Sequence, residues 1–132
     1  ILGRPSRPKR ATMDICAANI AGFGFVTAPF EMFSATGMYI KENSPNEITF
    51  VCSCANGAKS YIPTADAYDY GCYESFTSYF AKGTAELLQV KYVEMLEDLI
   101  MAAINDGYAK AEKVYEEKMG KYGNMGGLGG ML

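Results

Sequence analysis

The chain has 132 residues, of which 49% are hydrophobic and 20% are charged. These values are typical of one globular domain with a buried core. The formal net charge of −3 argues against a nucleic-acid partner, because phosphate contacts need clustered Lys and Arg. The chain has no histidine, which excludes Ser-His-Asp or Cys-His catalysis and any histidine-ligated metal site formed by this chain alone.

Residues 1–11 form a polar segment that contains two prolines and the one basic cluster of the sequence: Arg4, Arg7, Lys9 and Arg10. The interleaved prolines favour an extended arm or linker over a processing or docking site. The apolar runs are far shorter than the roughly 20 residues that a membrane span needs, so no membrane span is predicted. The sequence does not indicate a compartment.

Two strands joined by a tight turn are predicted next. Residues 13–20 are apolar and rich in small and β-branched side chains, Ala21 and Gly22 interrupt them, and residues 23–28 continue the apolar run. This pattern favours an antiparallel hairpin. The second strand is apolar on both faces, which is typical of a strand in the middle of a covered sheet.

A helix and a third strand follow. Pro29 suits a first helical turn, so residues 29–33 are predicted to open a helix, which residues 43–46 end. Residues 47–55 are predicted as the third strand. If the second and third strands are parallel, with this helix as the crossover, the loops that follow them emerge at the same edge of the sheet.

The C-terminal half is predicted to be mainly helical. Residues 65–81 are rich in tyrosine and have no clear period, which indicates an irregular surface loop or an active-site wall. A long helix is predicted from Thr84 as its N-cap, with residues 105–107 dividing it into two segments whose apolar stripes pack in a core. The four cysteines are expected to be buried free thiols, with a metal site or disulfides as the alternatives.

The predicted fold class is therefore α/β. It comprises a partial sheet of about three strands, a crossover helix and a long C-terminal helical segment. Residues 1–11 form the arm, residues 12–118 the folded part, and residues 119–132 a flexible tail rich in Gly and Met. So few strands indicate that more of the sheet comes from elsewhere.

Two residues that follow predicted strands are candidates for chemistry. Glu31 comes just after the second strand, where ligands of open α/β sheets gather, but an acid there also stabilises a helix N-terminus. Tyr61 comes after the third strand and is either a core or rim residue or a partner of Glu31.

Four short motifs in this order resemble the neutral/alkaline non-lysosomal ceramidase family. They are V-T-A-P-F-E-M-F, F-V-C-S-C-A-N-G, Y-I-P-T-A-D-A-Y and G-C-Y-E, and the similarity covers roughly residues 11–99. The resemblance implies the C-terminal part of a zinc-dependent amidohydrolase, a hydrolase that cleaves an N-acyl amide bond in a lipid-like substrate. Phe30 and Ala58 depart from the pattern of that family.

The resemblance also implies a set of site residues. Glu31 and Tyr61 match the zinc ligands of the family, and Asn56, Tyr68 and Tyr73 become candidate substrate-lining residues. Zinc binding requires histidines from an upstream part of the same protein or from a partner subunit, so the isolated chain is predicted to be inactive. The alternative hypothesis is a non-catalytic α/β module, or a degenerate remnant, that binds a partner protein.

Overall fold

A computed structural model describes residues 12–125, and the side chains of residues 12–120. The predicted arm, residues 1–11, lies outside the described part of the chain. The side chains of residues 121–132, which belong to the predicted tail, are also outside it. The chain divides into two compact units after Leu99. The elements in chain order are β1 (Cys16–Ile20), β2 (Phe23–Thr27), β3 (Glu31–Met32), α1 (Ser34–Asn43), β4 (Ile48–Cys52), β5 (Tyr61–Ile62), α2 (Ala65–Tyr70), α3 (Tyr73–Thr77) and α4 (Thr84–Met125).

The main sheet has three strands in the order β1-β2-β4. β1 and β2 form an antiparallel hairpin whose turn places Ala21 and Gly22 at φ of 52° and 88°. β2 pairs with β4 in parallel, and α1 is the crossover between them. The predicted α/β class, the hairpin, and the parallel pair with its crossover helix are therefore confirmed.

The predicted start of the first helix is wrong. Glu31 and Met32 form the short strand β3 instead, and α1 begins only at Ser34. The backbone amide of Glu31 donates to the carbonyl of Ser60 at 3.0 Å, and β3 pairs in parallel with β5. A strand partner 30 residues away, which local sequence does not reveal, therefore overrides the helical preference of this segment.

The tyrosine-rich segment is also more regular than predicted. It contains α2 and α3 in place of an irregular loop. The hydroxyl of Ser75 accepts a hydrogen bond from the backbone amide of Cys72 at 3.0 Å and so caps α3. Such short helices are held by tertiary contacts more than by periodicity, which explains why the sequence pattern missed them.

The hydrophobic core of residues 12–99 lies on one face of the main sheet and involves helices α1 and α4. Phe30 and Tyr92 are its two largest fully buried side chains, and neither is exposed at all. The ring of Phe30 meets that of Phe80 edge-on at 5.8 Å. The phenol of Tyr92 donates a hydrogen bond to the carbonyl of Thr27 at 2.8 Å, so α4 is joined to the end of β2.

Gly24 of β2 lies where a side chain has no room. A Cβ there would approach Asn46 Oδ1 and Thr49 Oγ1 to 2.8 Å. Both of these side chains are buried, and the amide of Asn46 donates to the carbonyl of Gly22 at 2.8 Å. The glycine therefore allows a buried polar contact to support the hairpin turn.

The opposite face of the main sheet is open in the part of the chain that the structure describes. It carries Phe25 and Phe50, whose rings stack at 4.9 Å, and its exposed members include Phe23, which is 42% exposed.

The prediction of buried thiols is wrong, because three of the four cysteines lie on or near this open face. Cys16 and Cys52 lie at the edge of this open face and Cys54 just beyond β4, and all three are free and exposed, while the free thiol of Cys72 is half-buried.

Helix α4 is continuous, which corrects the predicted division at residues 105–107. Thr84 is its first residue and not its N-cap, because its hydroxyl donates back to the carbonyl of Ala81 at 2.7 Å. Tyr92 and Leu96 are fully buried, as the core stripe predicted, but every side chain from Met101 to Gly120 is exposed. Within residues 12–125, no helix has the length and hydropathy to cross a membrane.

Candidate functional site

The structure brings the two predicted metal ligands together. β3 and β5 form a two-stranded parallel ladder in which Glu31 lies directly opposite Tyr61. The carbonyl of Tyr61 accepts a hydrogen bond from the hydroxyl of Ser78 at 2.9 Å, and the backbone amide of Met32 donates to Ser53 Oγ at 3.0 Å. These contacts fix the ladder from both sides, so the pairing of Glu31 with Tyr61 is set by the fold.

The electrostatics of this pair favour a neutral phenol. The neighbouring carboxylate of Glu31 raises the pKa of Tyr61 above its usual value, because it can accept a proton-bearing contact from the neutral phenol and because its negative charge disfavours the phenolate. Because phenolate is the form that binds metals, the pair holds the proton that a metal ion would have to displace.

The predicted substrate-lining residues do not form one group. Tyr73 packs its ring against that of Tyr61 at 6.0 Å and so joins the pair. The hydroxyl of Tyr68 donates instead to the carbonyl of Phe80 at 2.8 Å and is part-buried. The amide of Asn56 donates to Thr27 Oγ1 at 2.9 Å, so it supports the end of β2.

The residues present do not complete a zinc site. Residues 12–120 contain no group of three or more His, Cys, Asp or Glu side chains that could hold a metal ion. Glu31 and Tyr61 supply two oxygen ligands, whereas zinc sites use three or four protein ligands. Zinc binding by this pair therefore stays a prediction that depends on histidines from an upstream part of the same protein or from a partner subunit.

We expect the purified chain to retain far less than one equivalent of zinc after dialysis, because two ligands give weak binding. Metal analysis of the dialysed protein measures this directly. One retained equivalent that Glu31→Gln removes, but Glu47→Gln does not, would show that the pair binds zinc without added histidines.

A second candidate surface lies on helix α4 beyond the core. Apolar side chains recur there at alternating spacings of three and four, and we call these five residues the α4 seam: Met101, Ile104, Tyr108, Ala111 and Tyr115. All five are exposed, and Tyr108 is 74% exposed. Such spacing places side chains on one face of a helix, as in the contact line of a coiled coil.

Charged side chains flank the seam but do not interrupt it. Between Met101 and Glu117, six residues are charged: Asp106, Lys110, Glu112, Lys113, Glu116 and Glu117. Five of them occupy positions away from the seam, and Glu112 alone lies beside it. Lys110 forms an ion pair with Asp106 one turn earlier at 2.5 Å. The helix therefore has one apolar face and one charged face, although no described residue covers the apolar one.

The comparison with known proteins falls on this helix. A model of the YbaB/EbfC DNA-binding family matches residues 84–127, which is one third of the 132 residues. No solved structure matches the chain significantly. The chain is therefore similar to this family over α4, and the match does not extend to the sheet or to the Glu31–Tyr61 pair.

This match contradicts the ceramidase resemblance. The prediction of a zinc amidohydrolase fragment, and the hydrolase and sphingolipid functions that it implied, are wrong on this finding. The exclusion of nucleic acid is also wrong, because the matched family is described as DNA-binding. The resemblance depended on short motifs before residue 75, and the exclusion on the net charge of the whole chain, so neither used the spacing of apolar residues along α4.

The apolar stripe after residue 105 is predicted to pack in a core, and that prediction is wrong. Its spacing was recognised correctly, but the structure leaves its residues, including Tyr108 and Tyr115, exposed. The available signal was the apolar spacing itself, which marks one face of a helix but does not say what covers that face. An apolar face that is exposed on an amphipathic helix indicates an interaction surface.

Proposed function

We propose that this protein is a non-catalytic DNA-binding module in which the apolar face of α4 contacts protein and a basic segment outside α4 contacts DNA. The binding role of α4 rests on the α4 seam, a continuous apolar face on a helix whose side chains are all exposed from Met101 to Gly120. The family match on the same helix supports a binding function, and DNA is the ligand that the family description suggests.

The charge of α4 decides which part of the chain contacts phosphates. Residues 84–127 contain five lysines and eight acidic residues, a net charge of −3. A helix of this charge repels a DNA backbone. The uncompensated positive charge of the sequence is the cluster Arg4, Arg7, Lys9 and Arg10, which we assign to the phosphate contacts from its charge alone.

We expect weak binding to duplex DNA that depends strongly on salt. Fluorescence anisotropy of a labelled duplex of about 30 base pairs, titrated between about 50 and 200 mM salt, measures it. Four phosphate contacts per chain predict a slope of log affinity against log salt of about −3.6. Absence of binding at the lowest salt would contradict the proposal.

Two charge-neutralising variants locate the contact. Changing Arg4, Arg7, Lys9 and Arg10 to Gln removes four positive charges and should abolish binding. The matched variant removes four positive charges from α4, at Lys91, Lys110, Lys113 and Lys118. Its affinity for the duplex should fall far less than that of the first variant. If only the second variant loses affinity, the phosphate contacts lie on α4 and our assignment of them is wrong.

A protein partner is the second candidate, and the same seam favours it. An apolar face of alternating three and four spacing is the surface that another amphipathic helix recognises. This function needs no positive charge, so the net charge of −3 does not oppose it. Failure of DNA binding together with self-association or capture of a helix would favour this candidate.

A further inference from the structure

Strand β4 lies at an edge of the main sheet, whose strand order is β1-β2-β4. The carbonyl of Cys52 accepts a hydrogen bond from the backbone amide of Ala28 at 3.0 Å, so the backbone groups of Cys52 point to the β2 side. Alternate residues of a strand direct their amides and carbonyls to opposite sides, so those of Thr49 and Val51 point away from β2. Among the described residues, no backbone group forms a hydrogen bond with them. This outer edge therefore offers donors and acceptors at the spacing of a strand.

A groove of about 250 Å³ lies beside this edge, between β4 and helix α1. We call it the β4 groove, and its lining includes Val51 and Ser53 from the strand side and Ser34, Gly37, Met38 and Lys41 from one face of α1. Lys41 carries the one charge among the described lining residues. Its ammonium group forms no ion pair with any residue that the structure describes. The groove is therefore suited to an apolar side chain with a carboxylate nearby.

On the open face of the sheet, the same strand carries exposed apolar side chains. Ile48 is 47% exposed and Phe50 is 46% exposed. A strand added to the edge directs its side chains alternately to the two faces of the sheet. One set enters the β4 groove and the other set covers Ile48 and Phe50, so a single extended segment buries both surfaces. The outer edge of β1 has the small residues Ala17 and Ala18 at its centre and offers less apolar surface.

We propose that the outer edge of β4 binds an extended strand of another polypeptide, apolar on both faces and with one acidic residue directed at Lys41. The unpaired backbone groups select an extended main chain over a helix, because only an extended chain repeats its donors and acceptors at this spacing. Such a strand also extends a sheet whose small size indicates that further strands come from elsewhere. The inference goes beyond DNA binding, since neither α4 nor the basic cluster takes part in this contact.

Synthetic peptides test the proposal with the whole chain. The probes are acetyl-Thr-Val-Leu-Val-Asp-Val-Thr-amide and the peptide with Leu and Asp exchanged, which together allow for both strand directions. In each peptide Leu and Asp lie on one face and the three valines on the other. Fluorescence anisotropy of the labelled peptides should give a Kd of about 10–100 μM for one of them, because ordering a short strand offsets much of the contact energy.

N-methylated peptides test the backbone contact. Alternate amides of an added strand point to β4, and the others point to solvent. Methylating the amides of Leu and Asp, or those of the three valines, removes one alternate set of donors at a time. One of the two methylated peptides should lose binding at least about tenfold, and the other should stay within about twofold to threefold of the parent.

The groove is tested by Gly37→Leu. A Cβ at Gly37 would lie 3.9 Å from Val51 Cγ1, so a leucine side chain fits beside the strand and occupies the groove. The peptide should bind about tenfold or more weakly, because its own leucine is excluded. Leu is a better helix former than Gly, so α1 should remain folded. Ala35→Leu adds the same side chain at an exposed position of α1 outside the groove lining and should leave the affinity within about twofold.

The charge contact is tested by reversing it. Lys41→Glu should weaken binding of the Asp peptide about threefold or more, because two carboxylates then face each other. A peptide with Lys in place of Asp should show the opposite preference and bind Lys41→Glu more tightly than the unchanged chain. Equal affinities of both peptides for both chains would overturn the assignment of the acidic residue to Lys41.

Each remaining outcome decides the proposal. It is overturned if no peptide binds up to about 1 mM, if the two methylated peptides lose binding equally, or if Gly37→Leu and Ala35→Leu have equal effects. Self-association that Gly37→Leu abolishes, measured by sedimentation without peptide, would place a second copy on the edge and overturn the choice of another polypeptide. Gly37→Leu should leave DNA binding unchanged, so failure of the DNA proposal and failure of this one are distinguishable.

Discussion

Replacing Phe30 with alanine is expected to lower the free energy of unfolding by about 3–5 kcal/mol, the range found when buried Phe is truncated. Phe30 is fully buried and packs edge-on against Phe80 at 5.8 Å between centroids. Its carbonyl accepts hydrogen bonds from the backbone amide of Cys54 at 3.1 Å and from Ser53 Oγ at 2.8 Å. The backbone around it is therefore fixed, and the structure cannot collapse into the cavity that alanine leaves.

Urea unfolding followed by circular dichroism measures this change. Phe76→Ala is the matched control, because Phe76 is 63% exposed and its truncation should change the free energy of unfolding by less than about 1 kcal/mol. Equal losses for the two variants would mean that Phe30 is not a central core residue.

Replacing Tyr92 with alanine is expected to cost about 3–5 kcal/mol, the range for large aromatic core residues. Tyr92 is the largest fully buried side chain, and its phenol donates to the carbonyl of Thr27 at 2.8 Å. Tyr92→Phe keeps the ring but leaves that carbonyl without its donor, so it should cost only about 1–3 kcal/mol. The difference between the two variants separates packing from hydrogen bonding.

Tyr92 also predicts a loss of stability at high pH. Burial raises the pKa of Tyr92 well above its usual value, and the nearby Cys16 raises it further. Because the folded pKa exceeds the unfolded value of about 10, stability is complete below that pH and falls by up to about 1.4 kcal/mol per pH unit above it. Thermal unfolding between pH 9 and about 11.5 should show this slope, and Tyr92→Phe should reduce it. Identical slopes for the two proteins would place the titration elsewhere.

The Glu31–Tyr61 pair shows how far the sequence reaches into a site. Both residues come after the apolar runs that form β2 and β4, so their closeness at one edge of the sheet was predictable, and the structure places them opposite each other in β3 and β5. The strand pairing of β3 with β5 was not predictable, because two-residue strands leave no periodic signal. What chemistry such a pair performs depends on other ligands, which neither Glu31 nor Tyr61 specifies.

The sequence by itself determined the α/β class, the β1–β2 hairpin, a crossover helix between the second and third strands of the main sheet and the existence of a long C-terminal helix. These features depend on local patterns, namely the apolar runs, the Ala21–Gly22 turn, and the three and four spacing from Leu88 onwards. Only the tertiary structure decided which apolar residues form the core. Tyr92 and Tyr108 lie on the same helix in similar patterns, yet Tyr92 is fully buried and Tyr108 is 74% exposed. The physical reason is that burial depends on what packs opposite a residue, and periodicity along one helix contains no information about its neighbour.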